Sequence, residues 1–262
     1  MSRLGLSARM VGRELSRHRA AVTLLFVVPT VLYALIQATA GERLVPFQLS
    51  ATGGAILAGS ERTLSLLFMG STAMCGLMAF LAFVLTWRPI QTDRRLVFEG
   101  YRPAELLLAK IIVIAVASTV VAIYVAMLLL CFHQPSRWGG VLIGFLFAGL
   151  LYGLLGIVVG VVSRSELAGI LAILLLVNVD PGWLQNPVFY AGAHNRAIID
   201  WLPSHHPCQL VMLSAYTARP LAGEATLCVV WLLGLGAAAG AGYRLRLGLV
   251  TRRNGNRTSG NG

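Results

Sequence analysis

Long apolar runs alternate with short polar breaks along most of the chain. Residues 20–38, 64–87, 106–131, 141–162 and 224–243 each stay apolar for about 20 residues, the length with which an α-helix crosses the ~30 Å hydrocarbon core of a bilayer. A sixth run, Leu167 to Val179, holds only 13 residues before Asp180-Pro181-Gly182. At 1.5 Å per residue it spans about 20 Å, so it is expected to borrow length from Ser165-Glu166 or to continue into a bent segment. The pattern predicts an all-α polytopic membrane protein with six transmembrane helices.

The flanking segments carry a different periodicity. In residues 3–19, Leu4, Ala8, Val11 and Leu15 recur at helical spacing among Arg3, Arg9, Arg13 and Arg17, which predicts an amphipathic helix in the membrane interface, either a simple anchor or a contact surface for a partner. Residues 244–262, rich in Gly, Asn, Arg and Ser, read as a basic disordered tail. Ala38-Thr39-Ala40 imitates a signal cleavage site, but the long amphipathic lead and the later spans favour an uncleaved first span. The expected organisation is therefore a connecting helix over 1–19, a six-helix domain over 20–243 and the tail.

Composition agrees with the pattern: 57% of the 262 residues are hydrophobic and 12% charged, about half the charged share of a soluble domain. The net charge of +11 does not gather into a nucleic-acid patch. It sorts by loop. With a cytoplasmic N-terminus and six alternating spans, 16 of the 21 basic residues fall on inner segments, and the positive-inside rule puts both termini in the cytoplasm. Cys75, Cys131, Cys208 and Cys228 show no paired spacing and read as small hydrophobes.

The outer loops differ in character. Residues 39–63 are rich in Gly, Ala and Ser and show no site chemistry, while Phe132–Trp138 is short enough to make spans three and four a tight hairpin. Residues 180–223 combine five prolines with Trp183, Phe189, Tyr190, Trp201 and Tyr216, which predicts short broken helices in or on the outer leaflet. Span four carries G-x-x-x-G pairs at Gly149/Gly153 and Gly156/Gly160, and span six one at Gly236/Gly240. Such spacing serves close helix packing within the subunit or a dimer seam.

Candidate chemistry is sparse. No acid or base falls in the middle of a predicted span, so no intrinsic coupling ion is expected. Lys110 is the only lysine, and Ala109-Lys110-Ile111 lacks the Gly before and the Ser or Thr after that a nucleotide-binding G-x-x-x-x-G-K-[ST] loop needs. Ser, Asp and His show no hydrolase spacing. His205-His206-Pro207-Cys208 has donors that suit copper or zinc, but adjacent histidines point apart and no metal is expected there.

The stretch Asp93 to Lys110 is the best clue to function. Arg94, Arg95, Glu99, Arg102 and Glu105 offer mixed charge beside apolar Leu96, Leu106, Leu107 and Leu108, with Gly100 and Pro103 breaking the run. The stretch reads either as a helix-break-helix docking elbow or as a solvated, positive-inside loop.

Two local patterns resemble the permease subunits of the type-2 ABC exporter family. One is Asp93-Arg94-Arg95, the turn Gly100-Tyr101-Arg102-Pro103, and Glu105-Leu-Leu-Leu-Ala-Lys110 leading into span three; the other is Trp201-Leu-Pro203 with Pro207 and, further on, Arg219. The likeness extends over nearly the whole chain, although the Gly-Thr and Ser-Pro steps usual in the coupling segment are replaced by Phe98-Glu-Gly-Tyr-Arg102. The resemblance implies a coupling segment over 88–110 that meets a separate ATP-binding cassette ATPase through Arg94, Arg95, Glu99, Tyr101, Arg102, Glu105 and Lys110. It also implies an outer gate segment over 180–223 with Trp201, Pro203, Pro207 and Arg219, and a second permease copy, the same or different. ATP and Mg would sit on the partner, with no cofactor on this chain, in a bacterial or archaeal plasma membrane. Few polar side chains in the spans suit a hydrophobic or amphipathic cargo, drug-like or lipid-like. The competing expectation is a membrane enzyme or a metal-centre or envelope assembly factor acting through His205, His206 and Cys208.

Overall fold

Among the described residues, six helices are long and apolar enough to cross a membrane: Val22–Thr39, Glu61–Trp87, Pro103–Leu130, Trp138–Val162, Glu166–Leu184 and Ala222–Leu247. The protein is thus a multi-pass, predominantly helical membrane protein. The computed structural model describes residues 5, 9–13, 19–53 and 55–258, without the side chains of 20, 21 and 248–258. Within the expected connecting helix, residues 5, 9–13 and 19 are helical, and the rest of 1–19 lies outside the described residues.

In chain order the elements are α1 (Arg19–Thr39), β1 (Leu44–Gln48), β2 (Ile56–Ser60), α2 (Glu61–Trp87), α3 (Ile90–Phe98), α4 (Pro103–Leu130), α5 (Trp138–Val162), α6 (Glu166–Val179), α7 (Pro187–Gly192), α8 (Arg196–Asp200), α9 (His205–Tyr216) and α10 (Ala222–Thr258). Their boundaries follow local chemistry. Ser60 caps α2 by accepting from the Thr63 amide at 3.2 Å, with Glu61 in the first turn against the helix dipole. Ser165 caps α6 in the same way through Ala168, again followed by a glutamate. Pro103, which needs no amide partner at a helix start, opens α4.

Helix α5 is the central element, packed against α2, α4, α9 and α10. Its glycines make this possible. Gly149 faces Met74, Met78 and Ser118, Gly153 faces Ile114, and Gly160 faces Thr86; a side chain at Gly156 would collide with the Ala79 carbonyl. Both G-x-x-x-G pairs of this span therefore serve packing within the chain. Span six behaves differently. Gly236 has nothing near the place of a side chain, and Gly240 only Leu107 at 3.9 Å, so the expectation of close packing within the subunit does not hold at this pair.

Three further features bear on the sequence expectation: the hairpin and the last helix depart from it, and the fifth span follows it. Residues 39–63 contain an antiparallel hairpin, Leu44 opposite Ser60 and Gln48 opposite Ile56, a two-stranded addition to an otherwise all-α fold that the sequence reading of this loop does not include. Phe47 of this hairpin is buried against Tyr216 of α9, which anchors the loop to the helical body. The short fifth span gains length both ways: α6 starts at Glu166, and a wider π-type turn, Asp180–Leu184, carries the crossing through Asp180. Helix α10 continues to Thr258 where a disordered tail was expected from 244, held in its first added turn by buried Leu247 and by Arg246, which donates to the carbonyls of Gly160 and Val161 at the end of α5.

Candidate functional site

Two polar assemblies interrupt the apolar body, one at each end of the bundle. The first is built around the elbow of α3 and α4. Helix α2 stops at Trp87, and Arg88-Pro89 turns the chain into the nine-residue α3. Pro89 restricts the residue before it and lacks an amide to continue α2. At the other end Gly100 takes φ +92, a left-handed conformation that suits glycine, and α4 begins at Pro103.

The outward side of this elbow is polar with one aromatic. Gln91, Thr92, Arg95, Glu99 and Arg102 are exposed, and Phe98 among them shows 59% of its surface. Arg94 is half-buried and donates to Gln91 at 3.2 Å, while Tyr101 and Glu105 are half-buried. An exposed Phe flanked by both signs of charge offers the mixture of apolar anchor and polar rim found at protein interfaces.

The inward side holds a buried ionic knot. Asp93 Oδ2 accepts from Lys110 Nζ at 2.7 Å and from the Tyr243 hydroxyl at 2.7 Å, and Lys110 also donates to the Leu85 carbonyl at 2.7 Å. Lys110 is 1% exposed. Its place among the partner contacts is therefore corrected: the ammonium points into the protein, because an apolar helix face leaves it no route to water and Asp93 neutralises it inside. Removing one member of such a buried pair costs about 3–5 kcal/mol, since the other charge is left uncompensated. Around the knot, Arg88 pairs with Glu166 at 3.1 Å, and the Arg246 guanidinium stacks over Trp87 at 4.8 Å.

The second assembly lies at the opposite end, where residues 180–223 form α7, α8 and α9. Asp180 is buried and accepts four hydrogen bonds, from Tyr152 of α5 (2.5 Å), the Ser204 hydroxyl (2.5 Å) and amide (3.3 Å), and Gln185 (3.1 Å). Four donors satisfy its two oxygens inside the protein, where water cannot. The sequence placed this acid after its span, whereas the structure encloses it in the crossing segment.

From Gln185 the network runs outward. Its amide donates to Asp180, so its oxygen faces His205 Nδ1 at 2.9 Å; His205 Nε2 meets Ser50 at 2.9 Å and Asp200 at 3.3 Å, and Tyr190 donates to Asp200 at 2.9 Å. Burial pushes the His205 pKa down to about 4, opposed by the Asp200 carboxylate and aided by His206. The imidazole is neutral near pH 7. His206 turns the other way, to Glu224 at 2.7 Å, and Cys208 is buried. The two imidazoles and the thiol do not converge, and among the described residues no three His, Cys, Asp or Glu side chains are grouped to hold a metal.

The remaining expected gate residues spread over this same end. Trp201 is 78% exposed and Pro203 half-buried, Pro207 is buried, and Arg219 is exposed and donates to the Ala51 carbonyl at 3.1 Å. Arg137, in the short turn before α5, donates to the carbonyls of Thr217 and Arg219, so three connections are laced together. A cleft of about 250 Å³, lined by none of these gate residues, is formed by Arg43, Glu61, Leu64, Phe68, Pro187 and Val188, an amphipathic mixture.

Sequence reasoning singled out the elbow but missed Asp93, Tyr243, Tyr152, Asp180 and Gln185 as members of buried polar clusters. The one available signal was the solitary lysine. A single Lys in a chain with 20 arginines marks a position where a compact ammonium suits and a guanidinium does not. No family model matches the chain, and no curated protein sequence does.

Proposed function

We propose that the chain is the membrane-spanning permease subunit of an ATP-driven exporter of the type-2 ABC kind. The observation that carries this reading is the elbow: a short helix with breaks at both ends, an inward side fixed by the Asp93–Lys110 pair, and an outward side presenting Arg95, Phe98, Glu99 and Arg102. A purely solvated loop needs no such anchoring. The energy source sits on another subunit, because the only lysine is buried in an ion pair and is unavailable to a phosphate.

In this reading the elbow and both termini face the cytoplasm of a bacterial or archaeal plasma membrane. A soluble ATPase with its own ATP and Mg docks on the outward side, and two permease copies, the same or different, assemble with two ATPases. Apolar faces on α1, α6 and α10, exposed at Val31, Leu175 and Leu233, are available to lipid and to that second copy. The cargo is hydrophobic or amphipathic, drug-like or lipid-like, in keeping with the apolar spans and the amphipathic cleft at the outer end.

A photo-crosslinking residue placed at Phe98 in cells tests the docking surface. Capture of a soluble protein with a nucleotide-binding lysine loop supports the reading, whereas adducts only with lipid, or none, count against it. The metal-centre alternative has no observation in its favour, since His205, His206 and Cys208 face different partners.

A further inference from the structure

Helix α3 is a rigid body between two breaks. Arg88-Pro89 separates it from α2, and Glu99-Gly100 from α4, so neither neighbour continues into it as a stiff rod. Its buried side chains are Ile90 and Asp93. An apolar contact such as that of Ile90 is non-directional and slides at little cost. The contacts of Asp93 are directional, and one carboxylate oxygen holds both the Lys110 ammonium of α4 and the Tyr243 hydroxyl of α10 at 2.7 Å.

We propose that Asp93 is a pin through which displacement of α3 moves the third and sixth spans together. Helix α3 cannot shift against Lys110 without breaking a buried ion pair, nor against Tyr243 without breaking a buried hydrogen bond to the same carboxylate, so a push on its exposed side travels along the knot instead. Lys110 also grips the Leu85 carbonyl at the end of α2, which makes that carbonyl the fixed side of the joint. Tyr243 begins the route to the far end, because α10 runs unbroken back to Ala222, next to the His206–Glu224 contact that ties it to α9. Asp93, Lys110 and Tyr243 are positioning residues that touch neither nucleotide nor cargo. This inference rests on the docking of an ATPase at the elbow.

Hydrogen exchange of the purified complex, nucleotide-free against vanadate-trapped, tests it in the wild type and in the near-isosteric variants Tyr243→Phe and Asp93→Asn. In the wild type, trapping alters exchange at both 88–102 and 217–230. The variants are expected to keep the nucleotide-dependent change at 88–102 and to lose most of it at 217–230. A merely structural role would raise exchange in both nucleotide states and leave their difference intact, and that result overturns the pin. Tyr243→Phe removes a single hydroxyl, so it keeps the test open should Asp93→Asn fail to fold. If no ATPase accompanies the wild type, the functional reading itself falls, an outcome distinct from a bound ATPase whose signal passes unchanged through Tyr243→Phe.

Discussion

The Tyr152 hydroxyl donates to Asp180 at 2.5 Å and so joins the middle of the central helix α5 to the π-type turn that completes the fifth crossing. Without that turn α6 ends about 21 Å from its start by helical rise, too short for the bilayer core. The bond therefore holds in place the segment that makes a short apolar run into a span.

Tyr152→Phe removes one hydrogen bond to a carboxylate and is expected to lower stability by about 1.5–3 kcal/mol. Thermal unfolding in mild detergent measures this. An unchanged midpoint would show that Ser204 and Gln185 satisfy Asp180 unaided.

Glycines in the two G-x-x-x-G spans should respond in opposite ways. Gly156→Ala places a methyl against the Ala79 carbonyl and should cost about 1–3 kcal/mol through overpacking. Gly236→Ala meets open space and should be neutral, or stabilising by up to about 1 kcal/mol from helix propensity. Loss of stability at Gly236 only in the assembled oligomer would place that pair at a subunit seam.

Most of the span pattern was legible because hydropathy and length decide it. The start of α6 could be read from Ser165-Glu166, whereas α2 begins at Glu61, ahead of the apolar run that starts at 64. The hairpin was not legible: Leu44–Gln48 lacks clean alternation, and its partner strand contains Gly59, so pairing depends on the burial of Phe47 under Tyr216, far along the chain. The site was half legible. Charge along 93–110 marked the elbow, and the solitary lysine hinted at a special position, but its buried partners could not be read locally, because Tyr243 lies 150 residues beyond Asp93.

The network from Asp180 through Gln185 to His205 should weaken in acid. With its folded pKa near 4, below the usual 6.5, native His205 binds fewer protons than the unfolded chain between these values. Stability is then complete above pH 6.5 and falls as pH drops toward 4, by at most about 1.4 kcal/mol per pH unit. Melting measured from pH 7 to pH 4 should show this slope in the wild type and a shallower one in His205→Gln. Equal slopes would assign the acid sensitivity to other groups.

Charge at the exposed elbow should matter for association and not for folding. Replacing Arg95 and Arg102 by glutamate changes exposed side chains and keeps the backbone bonds that their carbonyls accept, and should leave the melting temperature nearly unchanged. The same variant should weaken ATPase association, most clearly at low salt where exposed charges are least screened. A large drop in melting temperature would mean that these side chains support the fold.

The central claim is tested most directly by mass spectrometry of the tagged protein purified gently from its native membranes. The account predicts a stoichiometric soluble subunit that carries a nucleotide-binding lysine loop. A preparation that retains the full activity of the membrane-embedded protein with no such subunit would contradict it.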